Sequence, residues 1–309
     1  MTDPTPPQPA RTIPVRTAPP VPPARSGKPA PVTGPWRPSM LMVAPHRLAF
    51  WLAMLILVVA SGWWLLVQED RVHGWFGLGY AVSPTLTHAA AMVFGFMPLF
   101  FAGFLFTAGP NWLRVEPLPV ARLQWPLFLQ AGGWLLWLAG AHLQAGVALT
   151  GLALAWLGLA WMFMLYWQLV RASRAEDRMH AKSVGVGGIV GVLSLAGTGL
   201  AMLAGHDALA LVLVRTALWG FIVVVYVSVA HRMIPFFTSN VLPLIELWRP
   251  FWVLRLMLGV AAFEVLALWV DFFAPSQQAW PAWTVLVIAV ELAAGGVLLW
   301  LAVVWGLVQ

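Results

Sequence analysis

The chain has 309 residues, of which 61% are apolar and only 9% charged, a balance that excludes a water-soluble domain of this length. It contains no cysteine, which excludes disulfides, thiolate metal sites and thioether-anchored c-type haem. The formal charge of +6 lies largely in the N-terminal tail and in short loops, so it reports membrane orientation and not nucleic-acid binding.

Residues 1–44 differ in composition from the rest. Thirteen of the first forty are proline, interspersed with Arg11, Arg16, Arg25, Lys28 and Arg37. Such a segment cannot bury enough apolar surface to offset its ordering entropy, so it reads as a disordered cytoplasmic tail with polyproline II character. It lacks the basic start, short apolar core and small-residue cleavage site of a signal peptide. A basic tail lying near anionic lipid and a PxxP ligand are the two roles open to it.

From residue 45 to 309 the sequence predicts one all-α domain, a polytopic transmembrane helix bundle. Eight apolar segments are long enough to cross a core of ~30 Å at ~1.5 Å per residue. They run over 47–67, 85–108, 125–143, 147–170, 183–204, 208–230, 250–272 and 282–306. The third and fourth are so close in sequence that they predict a tight antiparallel pair. Pro98 should kink the second. Gly185, Gly187, Gly188 and Gly191 give the fifth a small-residue face for close helix packing.

Loop charges orient the bundle. Arg114 and Arg122, then Arg171, Arg174, Arg178 and Lys182, then Arg232 and Arg249 fall in alternate loops, whereas the intervening loops carry only Arg71. The positive-inside rule therefore predicts both termini in the cytoplasm, with the lipid bilayer as the partner surface. Tryptophans such as Trp63, Trp64, Trp112, Trp125, Trp248 and Trp283 fall near the expected interfaces.

Polar residues inside the spans are the candidate site. His88 lies about one turn below the expected outer surface, and imidazole in lipid is usually retained for ligation, proton transfer or pairing. Met92 follows four residues later on the same helical face and offers either a second ligand or plain core packing. Arg215, Glu264 and Glu291 share a similar depth in the outer half. They read as an intramembrane charge network: either a helix-pinning ion pair, or an anion site at Arg215 with glutamates carrying protons. On the inner face His46 and Arg47 begin the first span, while His231 and Arg232 end the sixth, where Pro235 is expected to break the helix. These four form a candidate basic site.

Two blocks carry a family resemblance. THAAAMVFGF followed by AGFLFTAGPNW, between Thr87 and Trp112, resembles the HAHEM…GF…AGFLLTAVPNW signature of the NnrS family. HRMIPFFTSN, from His231 to Asn240, resembles that family's RVIPxFTRN segment. His88 matches the first histidine of HAHEM and Met92 its methionine, with Ala90 and Ala91 in place of the second histidine and the glutamate. Arg232 and Pro235 match the downstream block. The resemblance implies a polytopic inner-membrane protein associated with haem, and with copper, that acts in nitric-oxide response or denitrification. His88 is then the metal ligand, His142 or His206 a second ligand, and Arg215 a propionate partner. Nitric oxide and a respiratory or denitrification complex are the implied partners. The alternative is a cofactor-free assembly or accessory subunit of a respiratory complex. No nucleophile–base pair, phosphate loop or dinucleotide fingerprint argues for catalysis.

Overall fold

The structure is a computed structural model that describes residues 36–241, 248–274 and 281–306. The described residues are all-helical, as lipid requires of a segment that must satisfy its own backbone. Eight long helices follow in order: α1 (Pro45–His73), α2 (Pro84–Leu113), α3 (Val120–Leu143), α4 (Ala145–Ala172), α5 (Met179–Leu203), α6 (Asp207–Val241), α7 (Phe251–Phe273) and α8 (Pro281–Val304). Proline stands at the first position of α1, α2 and α8, where its missing N–H costs nothing. Gly74 ends α1 with φ 67° and Arg114 ends α2 with φ 53°, both left-handed stops.

Seven of the eight are long and apolar enough to cross a membrane. The exception is α3, which contains Arg122, Gln124, Gln130 and His142; the expected eight spans are thus seven by composition plus one more polar helix. That helix is covered by α4, to which Gln144 alone joins it. A Cβ added at Gly133 would stand 2.5 Å from the Ala155 amide nitrogen and the Gly151 carbonyl oxygen. Gly140 meets the α4 backbone at Ala148, and Gly158 meets α3 at Pro126 and Gln130. The α3–α4 hairpin is therefore packed backbone to backbone, the tight pair its short connection predicts.

The glycines of α5 serve another purpose. Gly185, Gly188 and Gly191 lie against the rings of Trp167, Phe163 and Phe221. They receive aromatic side chains and do not bring two backbones together, because α4 and α6 present bulky rings at those levels.

Pro98 acts through hydrogen-bond loss. In a regular helix the Phe94 carbonyl would accept from residue 98, which as proline has no N–H. Just before it the helix opens into a π turn over Ala91–Phe96, and the buried Gln130 amide on α3 donates to the Phe94 carbonyl. The other expected break, at Pro235, is absent: α6 continues to Val241. One turn on, the Thr238 hydroxyl bonds back to the Ile234 carbonyl at 3.0 Å. A second π turn, Leu218–Val223, lies midway along α6.

Composition assigns Pro38–Val43 to the tail, but these residues form a 3-10 turn whose Leu41 and Met42 pack on the core. The disorder expected over residues 1–35 lies outside the described residues. At the far end of the chain α8 buries only Leu301 along its length. It meets the body through Val253, Met257, Leu301 and Trp305.

Candidate functional site

Helix ends carry the polar side chains, and the two ends of the bundle differ. At the first, α1 finishes beside the start of α2 and the end of α3. Asp70 closes the connection by accepting from the backbone N–H groups of Phe76, Gly77 and Leu78 at 2.7–2.8 Å. Trp63 donates its indole N–H to His142 Nε2 at 2.7 Å. That nitrogen must therefore be an acceptor, which leaves Nδ1–H to donate to the Gly79 carbonyl at 2.9 Å. With both ring nitrogens engaged, His142 ties the first connection to α3 and has no lone pair for a metal. Tyr80 lies against it, ring centroids 5.1 Å apart. The Tyr80 hydroxyl is buried without a partner, and burial, with the Asp70 charge adding to it, pushes the phenol up.

His88 is different. Its ring stacks on Trp64 at 4.3 Å and 16°, and its Nδ1 is buried with no hydrogen-bond partner. Met92, within the π turn, packs against the core. His206 stands exposed at the N-cap of α6. His73 is held at the end of α1 by Glu69 at 3.1 Å.

The charge network is rearranged. Arg215 is exposed, since the adjacent Val214 and Thr216 take the inward positions of the helix. Among the described residues no carboxylate lies within ion-pair distance of it, so the expected pair with Glu264 or Glu291 does not form. Instead the Glu264 and Glu291 carboxylates, on α7 and α8, lie within electrostatic range of each other.

At the opposite end α2, α4 and α6 finish while α5 and α7 begin. Here His231 and His180 are almost wholly buried, 0% and 2% exposed. His231 Nε2 lies 3.1 Å from the Pro250 carbonyl, which can only accept, so that nitrogen carries the proton. Its Nδ1 is then the acceptor for His180 Nε2–H at 2.9 Å. The chain of bonds ends on His180 Nδ1, which has no hydrogen-bond partner among the described residues and faces Asp177 Oδ2 at 3.9 Å. Sequence reading overlooked His180. It lies one residue into α5 beside Arg178 and Lys182, and only the acidic Asp177 three residues before it marks the position as more than a basic stop.

Arg232 adjoins this pair. Its guanidinium lies 5.2 Å over the Trp112 ring and 3.7 Å from Asp177. Arg232, Arg249, Asn111 and Trp112 line a cavity of about 350 Å³, with Ala108, Met233 and Phe236 as its apolar walls. The two motif blocks, some 120 residues apart in the chain, thus meet at one cavity. Of the expected inner basic set, His46 reaches Thr107 at 3.4 Å, next to Ala108. Arg47 is exposed at the start of α1. Neither touches His231 or Arg232 through any hydrogen bond or ion pair among the described residues.

No curated protein and no solved structure matches the chain. The family model described as NnrS protein matches residues 40–309, which takes in the whole helical bundle as well as the two blocks. The chain belongs to the NnrS family.

Proposed function

We propose that this protein is a haem-associated membrane protein of nitric-oxide response or denitrification, seated in a bacterial inner membrane with both termini cytoplasmic. The observation that carries the reading is His88: an imidazole fixed by Trp64, with a buried nitrogen that nothing among the described residues uses. An unpaired buried polar atom is costly and calls for a partner that the protein itself does not supply. Haem is the partner that the resemblance of the His88 block to the NnrS signature implies.

The residues present would offer haem one imidazole ligand, His88. They do not fit a second ligand from His142, whose nitrogens are both engaged. Nor do they fit a closed copper site, because no three His, Asp or Glu side chains converge in a metal-holding group among the described residues. Bound at His88, haem would supply an iron able to take nitric oxide as a ligand. Trp64 orients the ring, and the start of α2 packs on the first part of α6.

The test is the absorption spectrum of detergent-purified protein, oxidised and then reduced with dithionite. A Soret band that shifts on reduction is expected, with haem content falling several-fold in His88→Ala while membrane yield and helicity stay unchanged. Full haem content in that variant would reject His88. A flat spectrum after expression with haem supplied would favour the cofactor-free accessory subunit, a reading helped by Ala90 and Ala91 at the motif positions of the missing histidine and glutamate.

A further inference from the structure

We propose that the cavity between α2, α6 and the start of α7 binds a phosphate-bearing anion, with the headgroup of an acidic phospholipid as its source. Two guanidiniums, Arg232 from α6 and Arg249 from the approach to α7, line one space of about 350 Å³ that, among the described residues, no acidic side chain lines. That size falls within the range of small-molecule sites, about 300–1,000 Å³. Arginine forks match phosphate oxygens two at a time.

The site is preorganised. Arg232 is held over Trp112, while its distance to Asp177, 3.7 Å, is too long for a hydrogen bond and leaves the fork available to a closer acceptor. The Asn111 amide adds donors at the rim. Free phosphate would need only the polar side of this cavity. The remaining wall is Ala108, Met233 and Phe236, and Phe236 is 48% exposed at the helix end, beside the equally exposed Phe237. A lipid headgroup with its glycerol backbone satisfies both sides at once, and basic pockets between membrane helices commonly hold such headgroups.

The experiment uses the full purified chain, delipidated in dodecyl maltoside. Native mass spectrometry follows titration with phosphatidylglycerol and with phosphatidylcholine, and thermal unfolding is measured with inorganic phosphate at constant ionic strength. Phosphatidylglycerol should bind about tenfold more tightly than phosphatidylcholine. Arg249→Gln should lose about that factor, since one charge-assisted fork is worth roughly a decade in affinity. Arg122→Gln, an exposed arginine bonded to Gln168 and away from the cavity, should change binding less than about twofold, the level expected of a general surface charge. Arg232→Lys, which keeps the charge but loses the fork and the planar stacking on Trp112, should weaken binding several-fold and guards against a misfolded glutamine variant. If inorganic phosphate stabilises the protein in an Arg249-dependent way while the lipids do not discriminate, the phosphate site stands and its source is soluble. Equal effects of Arg249→Gln and Arg122→Gln, or no binding by either probe, would overturn the proposal.

Discussion

Gly151→Ala is the sharpest test of how the bundle is held together. A Cβ at this position would stand 2.6 Å from the Gly133 carbonyl oxygen and 2.6 Å from the Trp137 amide nitrogen, where ordinary contact begins at 3.4 Å. Both obstacles are backbone, so no side chain can swing aside and α3 must move away from α4 by about 0.8 Å. A gap of that order forfeits roughly a quarter to a half of each dispersion contact across the seam. In lipid, packing of this kind is the main force joining helices. Overpacking therefore predicts a loss of about 2 kcal/mol, within the usual range of ~1–3. The assay is reversible unfolding in mixed dodecyl sulfate micelles, followed by far-ultraviolet circular dichroism. Gly132→Ala is the control, one residue from Gly133 yet with nothing within 4 Å of its added Cβ. There the better helix propensity of alanine should stabilise by about 0.5–1 kcal/mol. Equal midpoints for the two variants would refute the backbone seam.

Two further outcomes follow from the hydrogen-bond pattern. Gln130→Leu should destabilise by about 1–3 kcal/mol, because the Phe94 carbonyl loses the donor that stands in for the one Pro98 lacks. Adding Pro98→Ala to that variant should recover part of the loss in the same unfolding assay, whereas strict additivity would show that the proline and the glutamine are unrelated. Tyr80→Phe removes a buried hydroxyl with no partner and should raise the thermal midpoint, by an amount equivalent to about 1 kcal/mol. A lowered midpoint would mean that the hydroxyl is bonded in the protein as it exists in a membrane.

Bundle architecture was legible because lipid writes it in length and apolarity, two quantities that a single sequence displays. The hairpin of α3 and α4 was legible too, since a one-residue connection leaves no other arrangement. Partners across the bundle were not. Arg215 and Glu264 share a depth in their helices, but depth leaves the rotation of each helix open, and Val214 and Thr216 take the inward positions. The glycines of α5 announced a close approach without saying whether backbone or ring would fill it. Of the candidate site, His88 was legible as an imidazole in an apolar span, but its Trp64 stack and the diversion of His142 to Trp63 and Gly79 depend on where the first connection folds. At the other end, Arg232 read as one member of an inner basic set with His46, Arg47 and His231. Its role at the cavity depends on Asn111, Trp112 and Arg249, which come from other helices.

The seam between α3 and α4 also bears on how the chain enters its membrane. A translocon sorts each segment by hydrophobicity, and polar residues near the middle of a helix weigh against release into lipid. α3 carries Gln130 there and falls short of the apolarity of its neighbours. Its partner α4 follows after a single residue and supplies the surface that covers it. Hydrophobicity therefore favours release of the two helices as a pair over release of α3 alone, and the glycines that let their backbones touch make that pairing close.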